Sequence, residues 1–95
     1  MRTKVLYNGK GEHSDYSTFN FVINGKGDYG NGEYWNEEEE AVAISLANYI
    51  SENTDSPEPS FEGDTVWFSN SNEDGIMDWK EEVLDAYREW KKSVR

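Results

Sequence analysis

The chain has no cysteine, two prolines and one histidine among its 95 residues. The missing cysteine excludes disulfides, thiolate zinc sites and cysteine nucleophiles in one step. Long hydrophobic runs are missing as well. The opening "MRTKVLYNGKG" turns polar after Val5, Leu6 and Tyr7. No signal peptide and no membrane span are expected, and the cytoplasm is the default location. The third deficit is positive charge. Nine Lys and Arg face twenty Asp and Glu, for a formal charge of -11. Between Lys26 and Lys80 there is no Lys or Arg at all, while fourteen acids fall in that stretch. Nucleic acid and anionic membranes repel such a chain, so its natural partners are cations or basic proteins.

Aromatic residues, by contrast, are plentiful, with four Trp, six Tyr and four Phe. Disordered acidic chains generally lack rings, and a few rings supply core area that many aliphatics would otherwise provide. Residues 1–95 are therefore expected to form one folded domain, too small for a deep cleft between lobes.

Two segments alternate as strands do: Thr3 to Tyr7, weakly, and "STFNFVIN", where Phe19, Phe21 and Ile23 alternate with Thr18, Asn20 and Val22. Asn-Gly-Lys-Gly follows each of them, at Asn8 and again at Asn24. Asn-Gly supplies the positive φ angles of tight hairpin turns, so both copies are expected to close strands. A third, glycine-interrupted strand is expected near Tyr29 to Trp35. A helix is expected from about Glu37 to Ser51. Asn36 is its N-cap, Glu39 completes a capping box, and Val42, Leu46, Tyr49 and Ile50 form its apolar face. "SENTDSPEPSFEGD" reads as a long polar loop. "DTVWFS" is a further strand, and a last helix from about Asp78 to Val94 carries Trp79, Val83, Ala86, Tyr87, Trp90 and Val94 as its stripe. The expected fold is α+β: an antiparallel sheet of three to four strands, in the order β-β-(β)-α-β-α, with two helices packed on one face.

Three sets of residues could carry chemistry. The first is the acidic middle. Four consecutive glutamates on a helix rise only ~1.5 Å per residue, close to the one charge per ~1.7 Å of duplex DNA. Helix starts favour acids, but Glu37 and Glu40 are like-charged neighbours three apart, so the helix start does not account for all four. The expected partner surface comprises Asp28, Glu33, Glu37, Glu38, Glu39 and Glu40, extended by Glu52, Asp55, Glu58, Glu62 and Asp64. Tyr34 and Trp35 would supply its aromatic centre. The second set is "NSNEDGIMDWKE", which is similar to an EF-hand calcium loop over twelve residues. Asn70, Asn72, Asp74, Ile76, Asp78 and Glu81 would be the ligands and Gly75 the turn glycine. It departs from the pattern in starting with Asn instead of Asp and in following a strand. The third is His13 beside Ser14 and Asp15. Three adjacent side chains cannot converge as a triad. Carboxylates suited to a two-acid hydrolase are abundant, but nothing marks out one pair and the domain is too small for a deep cleft, so no enzymatic activity is expected.

Small size, strong acidity, absence of cysteine and an α+β meander resemble the phage-encoded inhibitors that mimic DNA, among them anti-CRISPR and anti-restriction proteins. The resemblance lies in composition and charge layout and carries no residue across. It implies an inhibitor in a bacterial host cell that occupies the basic cleft of a nucleic-acid-binding protein. A calcium-binding domain and an acidic scaffold without mimicry are the alternatives.

Overall fold

The computed structural model describes residues 2–10, 16–27, 34–55, 59–62, 65–72 and 75–93. Four strands form one antiparallel sheet: β1 (Thr3–Lys10), β2 (Tyr16–Ile23), β3 (Ser60–Glu62) and β4 (Thr65–Ser69). Their spatial order is β1-β2-β4-β3. Between β2 and β3 runs helix α1 (Glu37–Asn53). A two-stranded ribbon, β5 (Ser71–Asn72) with β6 (Gly75–Ile76), precedes helix α2 (Lys80–Ser93).

Period-two alternation decides which side of the sheet is covered. Phe19, Phe21 and Ile23 of β2 face the same way as their partners across the ladders, Val5 opposite Phe21 and Val66 opposite Phe19. All of these are buried, and they join Phe68, Ala43, Leu46, Ala47, Ile50, Trp79, Val83, Ala86 and Trp90 in one core. Both helices thus lie on one face, as the sequence pattern implies. Phe19 anchors the centre, with Phe68 edge-on at 5.5 Å and Tyr7 at 5.3 Å.

Several local expectations change. The first Asn-Gly-Lys lies inside β1, where Asn8 is the extra residue of a bulge between Tyr7 and Gly9. Among the described residues, only the second copy makes a turn. Asn24 (φ 54°) and Gly25 (φ 80°) form a two-residue hairpin loop closed by Ile23 and Lys26. The difference is tertiary, because β2 holds β1 in register beyond its glycine. Tyr34 to Asn36 form no strand, and the rest of the strand expected there lies outside the described residues. The loop after α1 contains β3, a short edge strand on β4. Helix α1 buries Ala43 and Ala47 with Leu46 and Ile50, whereas Val42 and Tyr49 are only partly buried and pack against the edge of the core.

Candidate acidic interface

Asn36 and Glu39 set the geometry of the acidic helix. The Asn36 side chain accepts from the Glu39 amide at 2.8 Å, and Glu39 Oε1 accepts from the Asn36 amide at 2.9 Å. This reciprocal capping box satisfies two of the free donors at the helix start. It also turns Glu39 inward. Its carboxylate accepts from Lys26 Nζ at 3.0 Å and from Asn24 Nδ2 at 3.0 Å, so the helix start is tied to the β2 hairpin loop. The Asn36 amide, the Asn24 side chain and then Lys26 stabilise the charged form. They lower the Glu39 pKa from 4.5 to about 2 despite its burial.

The four glutamates therefore do not act together. Glu39 is 3% exposed and fully partnered, so it leaves the expected partner surface. Glu37, Glu38 and Glu40 are exposed and form no ion pair among the described residues. Consecutive residues point about 100° apart round a helix, so even these three diverge. Along the 17-residue helix the exposed carboxylates are Glu37, Glu38, Glu40 and Glu52. That is one charge per ~6 Å of axis, against ~1.7 Å for a duplex. The local match to DNA charge density, expected from sequence, is not retained once side-chain direction is included.

Helix α1 nevertheless carries acid where its own stability does not call for it. Glu52 lies in the last turn, which holds no basic residue, and the exposed Asp55 follows just past the end. The negative end of the helix dipole disfavours both, by a few tenths to ~1 kcal/mol each. Between the two acidic ends, the solvent side holds Ala41, Ile44, Ser45 and Asn48, all uncharged, with Ile44 44% exposed. Glu62 belongs to β3, and Asp28, Glu33, Glu58 and Asp64 lie outside the described residues.

The aromatic residues next to the helix divide. Tyr34 is 76% exposed. Trp35 is half-buried, its Nε1 donating to the Lys26 carbonyl at 3.1 Å and its ring edge-on to Phe61 at 6.4 Å. Phe61, 41% exposed on β3, joins Tyr34 as an accessible ring beside the helix start. No feature of the local sequence singles out Phe61, since it sits in a stretch that reads as loop. Trp67 is half-buried on the helix-free face, edge-on to Tyr16 at 5.8 Å. Trp79 and Trp90 are core residues, as their helical spacing implies.

Across the helix pair, Glu38, Ala41, Val42 and Ser45 line a groove with Arg88, Trp90, Lys91 and Lys92. At the other end, Tyr49, Asn53 and Thr54 meet Glu82, Asp85, Ala86 and Glu89. The helices therefore run antiparallel. This puts the bases of late α2 across the groove from Glu38 without an ion pair between them, an arrangement that linear sequence does not reveal. Arg88 and Lys92 already pair within α2, with Asp85 at 2.5 Å and Glu89 at 3.4 Å.

Within the calcium-like segment, β5 pairs with β6, with Ser71 opposite Ile76 and Asn72 opposite Gly75. Asn70 is buried, and its Oδ1 accepts from Ser17 Oγ at 2.6 Å. Asp78 accepts from Ser17 at 3.0 Å, from Tyr7 Oη at 3.0 Å and from the Lys80 amide at 3.1 Å, which caps α2. Ser17 thus gathers β2, the segment after β4 and the start of α2. Burial, then the hydrogen bond to Asp78 and its charge, raise the Tyr7 pKa above 10. Glu81 is exposed on α2, Ile76 lies in β6, and Asp74 is outside the described residues, as is His13. Among the described residues, no three His, Cys, Asp or Glu side chains gather as a metal group. Likewise among them, no helix is long and apolar enough to cross a membrane.

Compared with family models, curated proteins and solved structures, the chain matches none.

Proposed function

We propose that this protein acts by occupation: its acidic α1 face docks on the basic nucleic-acid cleft of a DNA-processing or defence protein and blocks it. The observation that carries the reading is the solvent side of α1. Glu37, Glu38 and Glu40 at one end, and Glu52 and Asp55 at the other, are exposed and free of ion pairs among the described residues. Two of these acids sit against the helix dipole, so helix stability does not account for them. Carboxylates presented this way pair with the Lys and Arg that would otherwise hold phosphates. Tyr34 and Phe61 beside the helix start add aromatic area that does not depend on charge. The mimicry is one of sign and footprint, with a lower charge density than a duplex.

The test is capture from a bacterial lysate at low salt, followed by elution with duplex DNA. Nucleic-acid-binding proteins should be retained, released by the duplex, and lost when Glu37, Glu38 and Glu40 are changed together to Gln. Retained proteins that the duplex does not displace, or that the triple variant holds equally well, would refute the reading.

A further inference from the structure

We infer that Asn24 is a deamidation site held in check by the fold. Its conversion to Asp or isoaspartate unties the start of α1 from the β2 hairpin. The inference stands apart from the proposed function, since it concerns the chemistry of one side chain and needs no partner.

Asn-Gly occurs at residues 8, 24 and 31, and the third copy lies outside the described residues. Asparagine is a chemically labile side chain, and a glycine after it has no Cβ to hinder ring closure. The Gly25 nitrogen gives its proton to base and attacks Asn24 Cγ. A bond forms between that nitrogen and Cγ, the Cγ–Nδ2 bond breaks, and Nδ2 takes up a proton and leaves as ammonia. Water then opens the succinimide at either carbonyl, giving Asp or isoaspartate. At Asn24 the fold opposes this from both ends of the carboxamide. Oδ1 accepts from the Arg2 amide at 3.2 Å, and Nδ2 donates to Glu39 Oε2 at 3.0 Å. Expelling Nδ2 always costs the bond to Glu39, and the Glu39 carboxylate repels the oxyanion that attack creates at Cγ. Asn8 is held less firmly. Its Nδ2 donates to the neutral Asn20, and no described residue donates to its Oδ1.

The consequence follows from what faces residue 24. Asn24 (φ 54°) has a left-handed backbone that Asp also accepts, and Asp-Gly makes the same turn. The backbone therefore does not require asparagine here, but Glu39 does. An aspartate at this position has no donor to offer and sets a second carboxylate beside Oε2. Lys26 Nζ, 3.0 Å from Glu39 Oε1, is the one cation paired with this group among the described residues. Two like charges would then share one ammonium, which is repulsive. Isoaspartate instead routes the backbone through Cβ and lengthens the two-residue loop closed by Ile23 and Lys26. Either product loosens the start of α1, where Glu37, Glu38 and Glu40 are exposed.

The experiment incubates the whole protein in mildly alkaline buffer, folded and in concentrated urea. Digestion and mass spectrometry then count Asp and isoaspartate at residues 8 and 24. Residue 24 should convert at least about tenfold more slowly in the folded chain than in urea. Glu39→Gln is the selective variant. Its one side-chain oxygen is drawn to the Asn36 amide and Lys26, which keeps the cap and turns an NH2 group toward Asn24 Nδ2, donor against donor. Conversion at residue 24 should then rise about fivefold or more, with residue 8 unchanged. Asn24→Asp makes the product directly, and with circular dichroism confirming its fold it should melt at least about 4 °C below wild type. Equal rates at residue 24 in the folded and the urea-unfolded chain overturn the inference. So does a Glu39→Gln rate at residue 24 within about twofold of wild type. A rise shared equally by residue 8 also overturns it, because the cause would be general loosening. An Asn24→Asp protein that melts within about 1 °C of wild type overturns the claim that the product unties the helix start.

Discussion

The orientation of the acidic helix depends on a glycine, and this can be tested quantitatively. Gly27 has φ 96°, and a Cβ built on it would stand 2.5 Å from the Phe21 carbonyl oxygen and 2.7 Å from Trp35 Nε1. Gly25, two residues earlier, has φ 80° and nothing within 4 Å of such a Cβ. Gly25→Ala therefore measures backbone strain alone, ~1–2 kcal/mol. Gly27→Ala adds a contact that a β2 carbonyl in the sheet cannot evade. Trp35 must move, giving up its bond to Lys26, worth ~1 kcal/mol, and the overpacking costs a further ~1 kcal/mol or more. The expected losses are ~1–2 kcal/mol at Gly25 and ~3–5 kcal/mol at Gly27. In a domain of this size, each kcal/mol lowers Tm by about 4–8 °C. Urea and thermal unfolding followed by tryptophan fluorescence read both. A Gly27→Ala protein within ~0.5 kcal/mol of Gly25→Ala would show that Trp35 is not wedged against this glycine, and the account of how α1 is aimed would fall.

Other outcomes follow from the same geometry. The Glu39 pKa falls from 4.5 to about 2 on folding, so its contribution is complete above pH 4.5 and is lost as pH drops toward 2. Glu39→Gln should lower stability at neutral pH and flatten the acid side of the urea-midpoint profile, and an unchanged profile would contradict the Lys26–Asn24–Asn36 cage. Tyr7 is raised above 10, so the fold favours its neutral form and stability should fall as pH rises past 10. In alkaline absorbance titration one tyrosine should ionise late, and Asp78→Asn should bring it only part of the way down, because burial is the larger cause. Asn70 is committed to Ser17 inside the domain. Millimolar calcium is accordingly expected to leave the melting temperature unchanged, and a rise abolished by Asp78→Asn would contradict this.

The legible parts of the fold were those whose signals are local. Alternation at Phe19, Phe21 and Ile23 marks β2 wherever the strand finally lies. The Asn36-x-x-Glu39 spacing specifies a capping box, and the box forms. The same spacing carried a message about function that was easy to misread. A capping glutamate faces back toward the helix start, so it is the least available of the four to a partner. β3 was hidden because three residues beside prolines have no periodicity of their own and become a strand only by pairing with β4. The first Asn-Gly read as a turn, because a bulge and a hairpin loop ask the same left-handed freedom of the backbone.

Composition and spacing alone point to an α+β fold, to a strong excess of acid, and to Asn36 as the cap from which α1 starts. Each of these is a sum over residues or a contact within one helical turn. Which acids remain free is a different kind of fact. Lys26 reaches Glu39 because the β2 hairpin loop comes to rest against the helix start. Late α2 bases come to the far wall of the groove from Glu38 because the helices pack antiparallel. Both outcomes join residues far apart along the chain. A charge is answered by whatever lies within a few ångströms of it, and only the tertiary packing brings those partners together.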